Sequence, residues 1–450
     1  MANSPQTGNL SRRDLIKRGL IGAAGLMFFD PFGHWTVSAA LPPAGAPKVQ
    51  GRAKSIIQIW MWGGPCHLDT FDPKPGAGRD YCGPLTKPIE TNVSGIRICE
   101  LLPLLAKQAD KYSIIRSMTH GSFAHETASY ITQTGFDPGD RISHPCAGAV
   151  VSLFKGYDHG YKGLIPPYIV LTSPLGRFSE SGLLGSQYKP FATGGDPGQP
   201  RFAVEGITVE GLSDQRQQAR RQLLGSLDTL GQAMPHAPQF EQFKQCAEEA
   251  DATVAETGKL YDLSAENDAM RDRYGRNTFG QSCLMARRLV ERGVPFVSIN
   301  YRGWDTHKQH FELMRRNLPE MDKGMATLLQ DLSERGLLDS TIVWWGGEFG
   351  RTPKVMWEAP WNGGRGHFGS CFNSVVAGGG FKGGHVVGAS DDKGMEVAER
   401  PVHPRDLLGS MYELLGIDAD GPLPNNKGIE VSVLPPAKAN AEQRRLYEIM

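Results

Sequence analysis

Six short apolar runs constrain this chain more than any other feature. "SIIQIWMW" (55–62), "KYSIIRSM" (111–118), "PPYIVLT" (166–172), "VPFVSIN" (294–300), "STIVWWGGE" (340–348) and "SCFNSVVAGGG" (370–380) lack the apolar/polar alternation of a half-wet strand. Several stop on glycine, and the first stops on Gly63-Gly64-Pro65. Unbroken apolarity over a strand's length is what a sheet needs when both its faces are covered. Between the runs lie helical patterns: "ICELLPLLAKQADK" (98–111), "RNTFGQSCLMARRLVERG" (276–293), which ends on a glycine suited to a helix C-terminus, and "VHPRDLLGSMYELLGI" (402–417). Strands alternating with helices predict an α/β fold, a mostly parallel central sheet with helices on both faces.

One stretch breaks the alternation. Residues 209–276, including "LSDQRQQARRQLLGSLDTLGQ", are charged and helix-favouring, and predict a helical insertion between two halves of the sheet. The N-terminus has another purpose. "SRRDLIKRGLIGAAGLMFF" carries adjacent Arg12 and Arg13, then Leu15 and Ile16 and a modest apolar stretch, with "VSA" (37–39) as a small-residue cleavage site. This is the pattern of a twin-arginine export signal over residues 1–39, which predicts a periplasmic or extracellular protein. The apolar part, Leu20 to Phe29, is about half the ~20 residues a bilayer requires, so no stable membrane span is expected. The expected organisation is a single α/β domain over 50–418 and a C-terminal tail over 419–450.

Charge narrows the partners. The chain has 48 basic and 48 acidic residues, and without residues 1–39 it has 44 against 46. No basic face for nucleic acid is expected. The seven cysteines (66, 82, 99, 146, 246, 283 and 371) contain no C-x-x-C pair, which excludes zinc-ribbon and thioredoxin readings and favours buried free thiols over one or two disulfides formed after export.

The polar residues just past the apolar runs carry the functional signal. His67, Asp69 and Asp72 follow the first, His120, His125 and Glu126 the second, Asp305 and His307 the fourth, and Glu348 the fifth, while His367 lies in a glycine-rich loop before the last. In an open parallel sheet the loops at the C-terminal strand ends converge on one crevice. Carboxylate and imidazole donors suit zinc, manganese, magnesium or calcium rather than thiolate copper. Each residue alone has a plain reading: Asp69 and Asp72 as turn residues, Asp305 as the N-cap of a helix "HKQHFELMRRNL", Glu348 as a partner for Arg351. Their recurrence at one end of successive strands favours a shared site.

Longer motifs carry a resemblance. "GGPCHLDTFDPKP", "GLLGSQYKPF", "RYGRNTFGQSCLMARRLVERGVPFVSINYRGWDTH", "GGEFGRTP", "GRGHFGSCFNSVVAGGGFKGG" and "VHPRDLLGSMYELLGI" resemble the family called domain of unknown function 1501, over about residues 50–418. That family is similar to the alkaline phosphatase and sulfatase superfamily, whose members hold one or two divalent ions at the C-terminal ends of a parallel sheet. The resemblance implies Asp69, Asp305, His307, Glu348 and His367 as metal ligands. It also implies departures: Phe349 follows Glu348 where an Asp-His pair is expected, and Gly366 stands where relatives carry Asp. The sulfatase pattern ends in Thr-Gly, matched by Thr134-Gly135; counting back places His125 where Cys, Ser or Thr would react. His125 is then a nucleophile, ligand or acid–base group, with Thr127 or Ser129 as the hydroxyl alternatives. Arg351 and Arg365 are expected to bind an anion through their planar guanidinium forks. The implied function is metal-dependent hydrolysis of a phosphate or sulfate ester on a small molecule or glycan. The alternative is a non-catalytic exported protein that binds a glycan or protein partner.

Overall fold

The computed structural model describes residues 51–139, 141–173, 180–200, 257–436 and 445–450, with isolated positions elsewhere. Most of the predicted export signal and most of residues 209–256 of the predicted insertion lie outside them. The end of that insertion is helical, closing with α3 below.

Each of the six apolar runs is a strand. The central sheet comprises β1 (Ser55–Trp62), β2 (Tyr112–Met118), β3 (Tyr168–Leu171), β4 (Phe191–Ala192), β5 (Phe296–Arg302), β6 (Thr341–Gly346), β7 (Phe372–Ala377) and β8 (Val386–Val387). Its order is β8-β2-β7-β6-β1-β5-β3-β4. Only β7 runs against its neighbours, β6 and β2; the other pairings are parallel. The helices used below are α1 (His125–Thr134), α2 (Ala147–Lys155), α3 (Asp268–Tyr274), α4 (Thr278–Glu291), α5 (His310–Glu334) and α6 (Pro404–Leu414).

Alternate side chains of each strand feed two cores, which explains the unbroken apolarity. Ile57, Ile59, Val343 and Trp345 pack with Leu284 and Leu289 of α4 and Leu318 and Leu328 of α5. Ile56, Ile342 and Trp344 point the other way, to Val150 of α2 and to Leu408 and Met411 of α6. Each fully buried side chain of this kind contributes about 1.5–3 kcal/mol, so the central strands are held firmly and their ends can carry polar groups. The tail contributes too, because Val433, Leu434 and Ile449 sit in the second core.

Two expectations shift. The pattern over 98–111 yields only a turn of helix at Pro103–Ala106 and a 3-10 turn at Ala109–Lys111. Pro103 lacks the N–H an interior position needs and so serves only at a helix start. The helix expected from His307 begins instead at His310, after Gln309 at φ 51°. Asp305 is therefore not an N-cap.

Register aligns the strand ends. Arg302 lies opposite Trp62 and Gly346 opposite Trp60, so β1 and β5 finish together and β6 two residues short of them. Gly63 and Gly303 follow two of these ends at φ 108° and 106°, where a side chain is strained. A Cβ on Gly63 would lie 2.2 Å from the Asp305 backbone nitrogen, which shows how closely the loops after β1 and β5 approach. The six described cysteines are buried and unpaired, as expected. Among the described residues no helix is long and apolar enough to cross a membrane.

Candidate metal centre

Five of the predicted site residues meet at this aligned end. Asp305 and His307 lie in the loop after β5, Glu348 follows β6, and His125 opens α1 after β2. His367 lies in a short antiparallel ribbon, Gly350–Arg351 with His367–Phe368, just before β7. Asp305 is the hub. Its Oδ1 lies 3.0 Å from His307 Nε2 and 3.3 Å from His367 Nε2, and its Oδ2 lies 3.4 Å from His125 Nε2. The Nε2 atoms of His307 and His367 face each other at 2.9 Å.

Hydrogen bonds on the far side of two rings fix what they present. His367 Nδ1 is 2.7 Å from the Phe123 carbonyl, which can only accept, so Nδ1 carries the hydrogen and a neutral ring turns a bare Nε2 toward Asp305. His125 Nδ1 donates to Glu348 Oε1 at 2.6 Å. A histidine tied at one nitrogen to a carboxylate or carbonyl, with the other aimed at a shared point, is the usual arrangement around a bound metal. Glu348 is fully buried; Oε1 also accepts from Gly63 N–H at 2.9 Å, while Oε2 has no hydrogen-bond partner among the described residues. Trp62 stacks on His125 at 4.6 Å and Phe349 on His367 at 4.7 Å, which holds both rings in place.

The charges follow from these contacts. Burial would raise the Asp305 carboxyl, but its contacts with His125 and Arg351 hold it far below the usual carboxylate range. Burial would lower His125, yet Asp305 and Glu348 together push it up to about 9. Burial and the nearby Arg351 charge pull His307 below its ordinary value.

The remaining predicted residues are placed differently. Arg351 is fully buried; it donates to the Gly63 and Gly64 carbonyls, to the Arg365 carbonyl at 3.3 Å and to Asp305. Its guanidinium is thus occupied in orienting Asp305 and does not face an incoming anion, contrary to the expectation for it. Arg365 is also fully buried, paired with Asp69. Asp69 lies outside the Asp305 hub, in a second, buried cluster: Arg365 Nε at 2.8 Å and His310 Nε2 at 2.8 Å both meet its Oδ2. Burial would raise Asp69, but Arg365 and His310 hold it down to about 2. Asp72 pairs with Lys74 at 3.2 Å and Arg116 at 3.4 Å. His120 is fixed as a neutral ring, accepting from Ser122 N–H and donating to the Glu348 carbonyl at 2.6 Å. Thr127 is half-buried in the first turn of α1 and Ser129 is buried; neither takes part in the bonds that join the cluster.

Three participants escaped the sequence reading. His310 and Thr306 lie within "DTHKQH" but look like ordinary helix-start residues, and Phe123 contributes a backbone carbonyl, which no side-chain pattern reveals.

The chain belongs to the family described as "Protein of unknown function (DUF1501)", whose model matches residues 53–436. Among solved structures it is similar to the PsFucS1 sulfatase from Pseudoalteromonas sp., at 15% identity and TM-score 0.37 over 83% of this chain and 69% of that one. It is also similar to a protein in the alkaline phosphatase superfamily from Vibrio parahaemolyticus, at 12% identity and TM-score 0.36 over 86% and 71%. A third is the C-terminal periplasmic domain of EcEptC from Escherichia coli, solved in complex with Zn, at 10% identity and TM-score 0.36 over 89% and 96%. None of the curated proteins matches the chain.

Proposed function

We propose that this chain is an exported, metal-dependent hydrolase of phosphate or sulfate esters, acting on an anionic small molecule or glycan. One observation carries the reading: three imidazole Nε2 atoms converge on the single carboxylate of Asp305 at 3.0–3.4 Å. The donor set fits a divalent ion. Asp305, His307 and His367 would hold it, with Asp305 and His307 exposed enough, at 39% and 37%, for a ligand to reach them. When bound, such an ion would polarise an ester oxygen and lower the pKa of water toward ~7.

The chain's own groups divide the remaining work. Arg351 fixes the Asp305 carboxylate from behind. Glu348 fixes His125 by taking its Nδ1–H. Without an ion, Asp305 and Glu348 push His125 up to about 9, so it holds a proton at Nε2 beside the hub at neutral pH. It can give that proton to the leaving oxygen as the ester P–O or S–O bond breaks, and regain one from the attacking water. Asp69 and Thr127 have no direct part in this scheme. Export by the twin-arginine route, read from residues 1–39, belongs to the same proposal.

A second reading has an observation of its own. Among the described residues no hydroxyl or thiol joins the cluster, which favours either direct attack by water or binding without turnover. Elemental mass spectrometry on the exported, signal-cleaved, tag-free protein tests the first reading. About one or two divalent ions per chain are expected, absent from Asp305→Ala, with hydrolysis of a phosphate and sulfate ester panel lost in parallel. No ion in either protein after incubation with zinc, manganese, magnesium and calcium would refute it; bound metal with an inert panel would leave the binding reading.

A further inference from the structure

We infer that the buried guanidinium of Arg365 stands where a second ion would otherwise sit, so that the centre takes one divalent ion. We further infer that the chain Arg365–Asp69–His310–Thr306 positions the two ligands on either side of Thr306. The inference rests on the metal reading above.

The donor atoms of Cys66, Asp69 and His310 lie within 4.8 Å of one another, a grouping that could hold a metal ion. It is already filled by a cation. Arg365 Nε lies 2.8 Å from Asp69 Oδ2 and its NH2 donates to Asp69 Oδ1 at 3.2 Å. The other N–H groups are taken by backbone: NH2 reaches the Tyr81 carbonyl at 2.6 Å, and NH1 the carbonyls of Thr352, at 2.8 Å, and Pro353. An arginine does not lose its charge. A divalent ion on the same carboxylate would meet a fixed like charge in a poorly screened interior.

The same cluster reaches the metal centre. Asp69 has no proton to give, so His310 Nε2–H donates to it at 2.8 Å. His310 Nδ1 is then a lone pair and accepts the Thr306 O–H at 2.6 Å. Thr306 lies between the ligands Asp305 and His307, and its carbonyl accepts the Arg365 backbone N–H at 3.1 Å. Arg365 thus holds Thr306 twice, through its own backbone and through Asp69 and His310. Both Thr306 and His310 are buried, at 1%. The loop behind is equally tight, since a Cβ on Gly364 would lie 1.8 Å from the His307 carbonyl oxygen. Thr306, His310 and Asp69 are positioning residues in this account.

The test measures zinc stoichiometry by elemental mass spectrometry and zinc affinity by chelator competition, for the wild type, Asp69→Asn, Thr306→Val and Thr306→Ser. Thr306→Val removes the hydroxyl, keeps the shape and leaves the Asp69–Arg365 pair intact, and a thermal melt checks its fold. About one zinc per chain is expected in the wild type. Thr306→Val should keep that count with affinity weakened roughly 10–100-fold, and Thr306→Ser should restore it. Two zinc ions in the wild type, one of them lost in Asp69→Asn, would make Asp69 a ligand and overturn the inference. One zinc with unchanged affinity in Thr306→Val would remove the positioning chain alone. No zinc in the wild type would overturn the metal reading and this inference together.

Discussion

The two clusters are built from the same residue types and differ in what faces the carboxylate. Around Asp305, three imidazoles and one arginine meet a side chain that is 39% exposed, and at least one ring presents a lone pair. Around Asp69, at 1% exposure, an imidazole N–H and a guanidinium meet both carboxylate oxygens. The first is open to solvent. The second is satisfied and closed. A carboxylate ready for a metal is distinguished from a structural one by the direction of its neighbours' hydrogens, and the list of residues does not contain that direction.

Substitutions that separate stability from ion binding can break this comparison. The largest effect is expected from Arg365→Met, which leaves Asp69 buried without its cation; breaking a buried pair in this way costs about 3–5 kcal/mol. Urea unfolding of wild type and variant reads it directly. A loss below ~1 kcal/mol would mean that the pair is not the anchor of the buried cluster. His307→Ala should behave in the opposite way. Its side chain is 37% exposed, so stability should stay within about 0.5 kcal/mol of wild type, while ion affinity falls roughly 100-fold, or about 3 kcal/mol. Titration calorimetry beside an unfolding curve checks both halves. Unchanged affinity would place His307 outside the ion's ligand set.

The fold was largely legible because its signal is redundant. Apolar runs such as "SIIQIWMW" and "STIVWWGGE" state burial on both faces at nearly every position, and each became a strand. The reversed direction of β7 was not legible, because a strand buried on both faces carries the same apolar code whichever way it runs. The helix pattern at 98–111 failed at Pro103, where a missing N–H outweighs periodicity. In the site, Asp305, His307, Glu348, His367 and His125 could be gathered because successive parallel strands deliver their ends to one edge. Asp69 was gathered by the same rule, yet the loop after β1 carries it into the buried cluster. Arg351 was read as an anion binder from its chemistry alone; only the three-dimensional path of Gly63, Gly64 and Arg365 shows its donors already taken.

The smallest effect lies in the acid limb of stability, and its sign distinguishes the clusters. Asp69 is held down to about 2 in the folded protein, against 3.8 for an unperturbed aspartate. Because the folded value is the lower one, the stabilisation is fully present above the unfolded value and is lost as pH falls from about 4 toward 2. A shift of this size corresponds to about 2 kcal/mol. Urea unfolding of wild type and Asp69→Asn, with chelator present and at steps between pH 6 and 2, should show the wild type's advantage shrinking by that amount on acidification. Asp305 titrates in both proteins, so its contribution cancels in the difference. A constant gap between the two curves across this range would mean that Asp69 gains nothing from its charge. The Arg365 contact would then be geometry without electrostatic consequence, and the contrast between the closed and open clusters would reduce to burial alone.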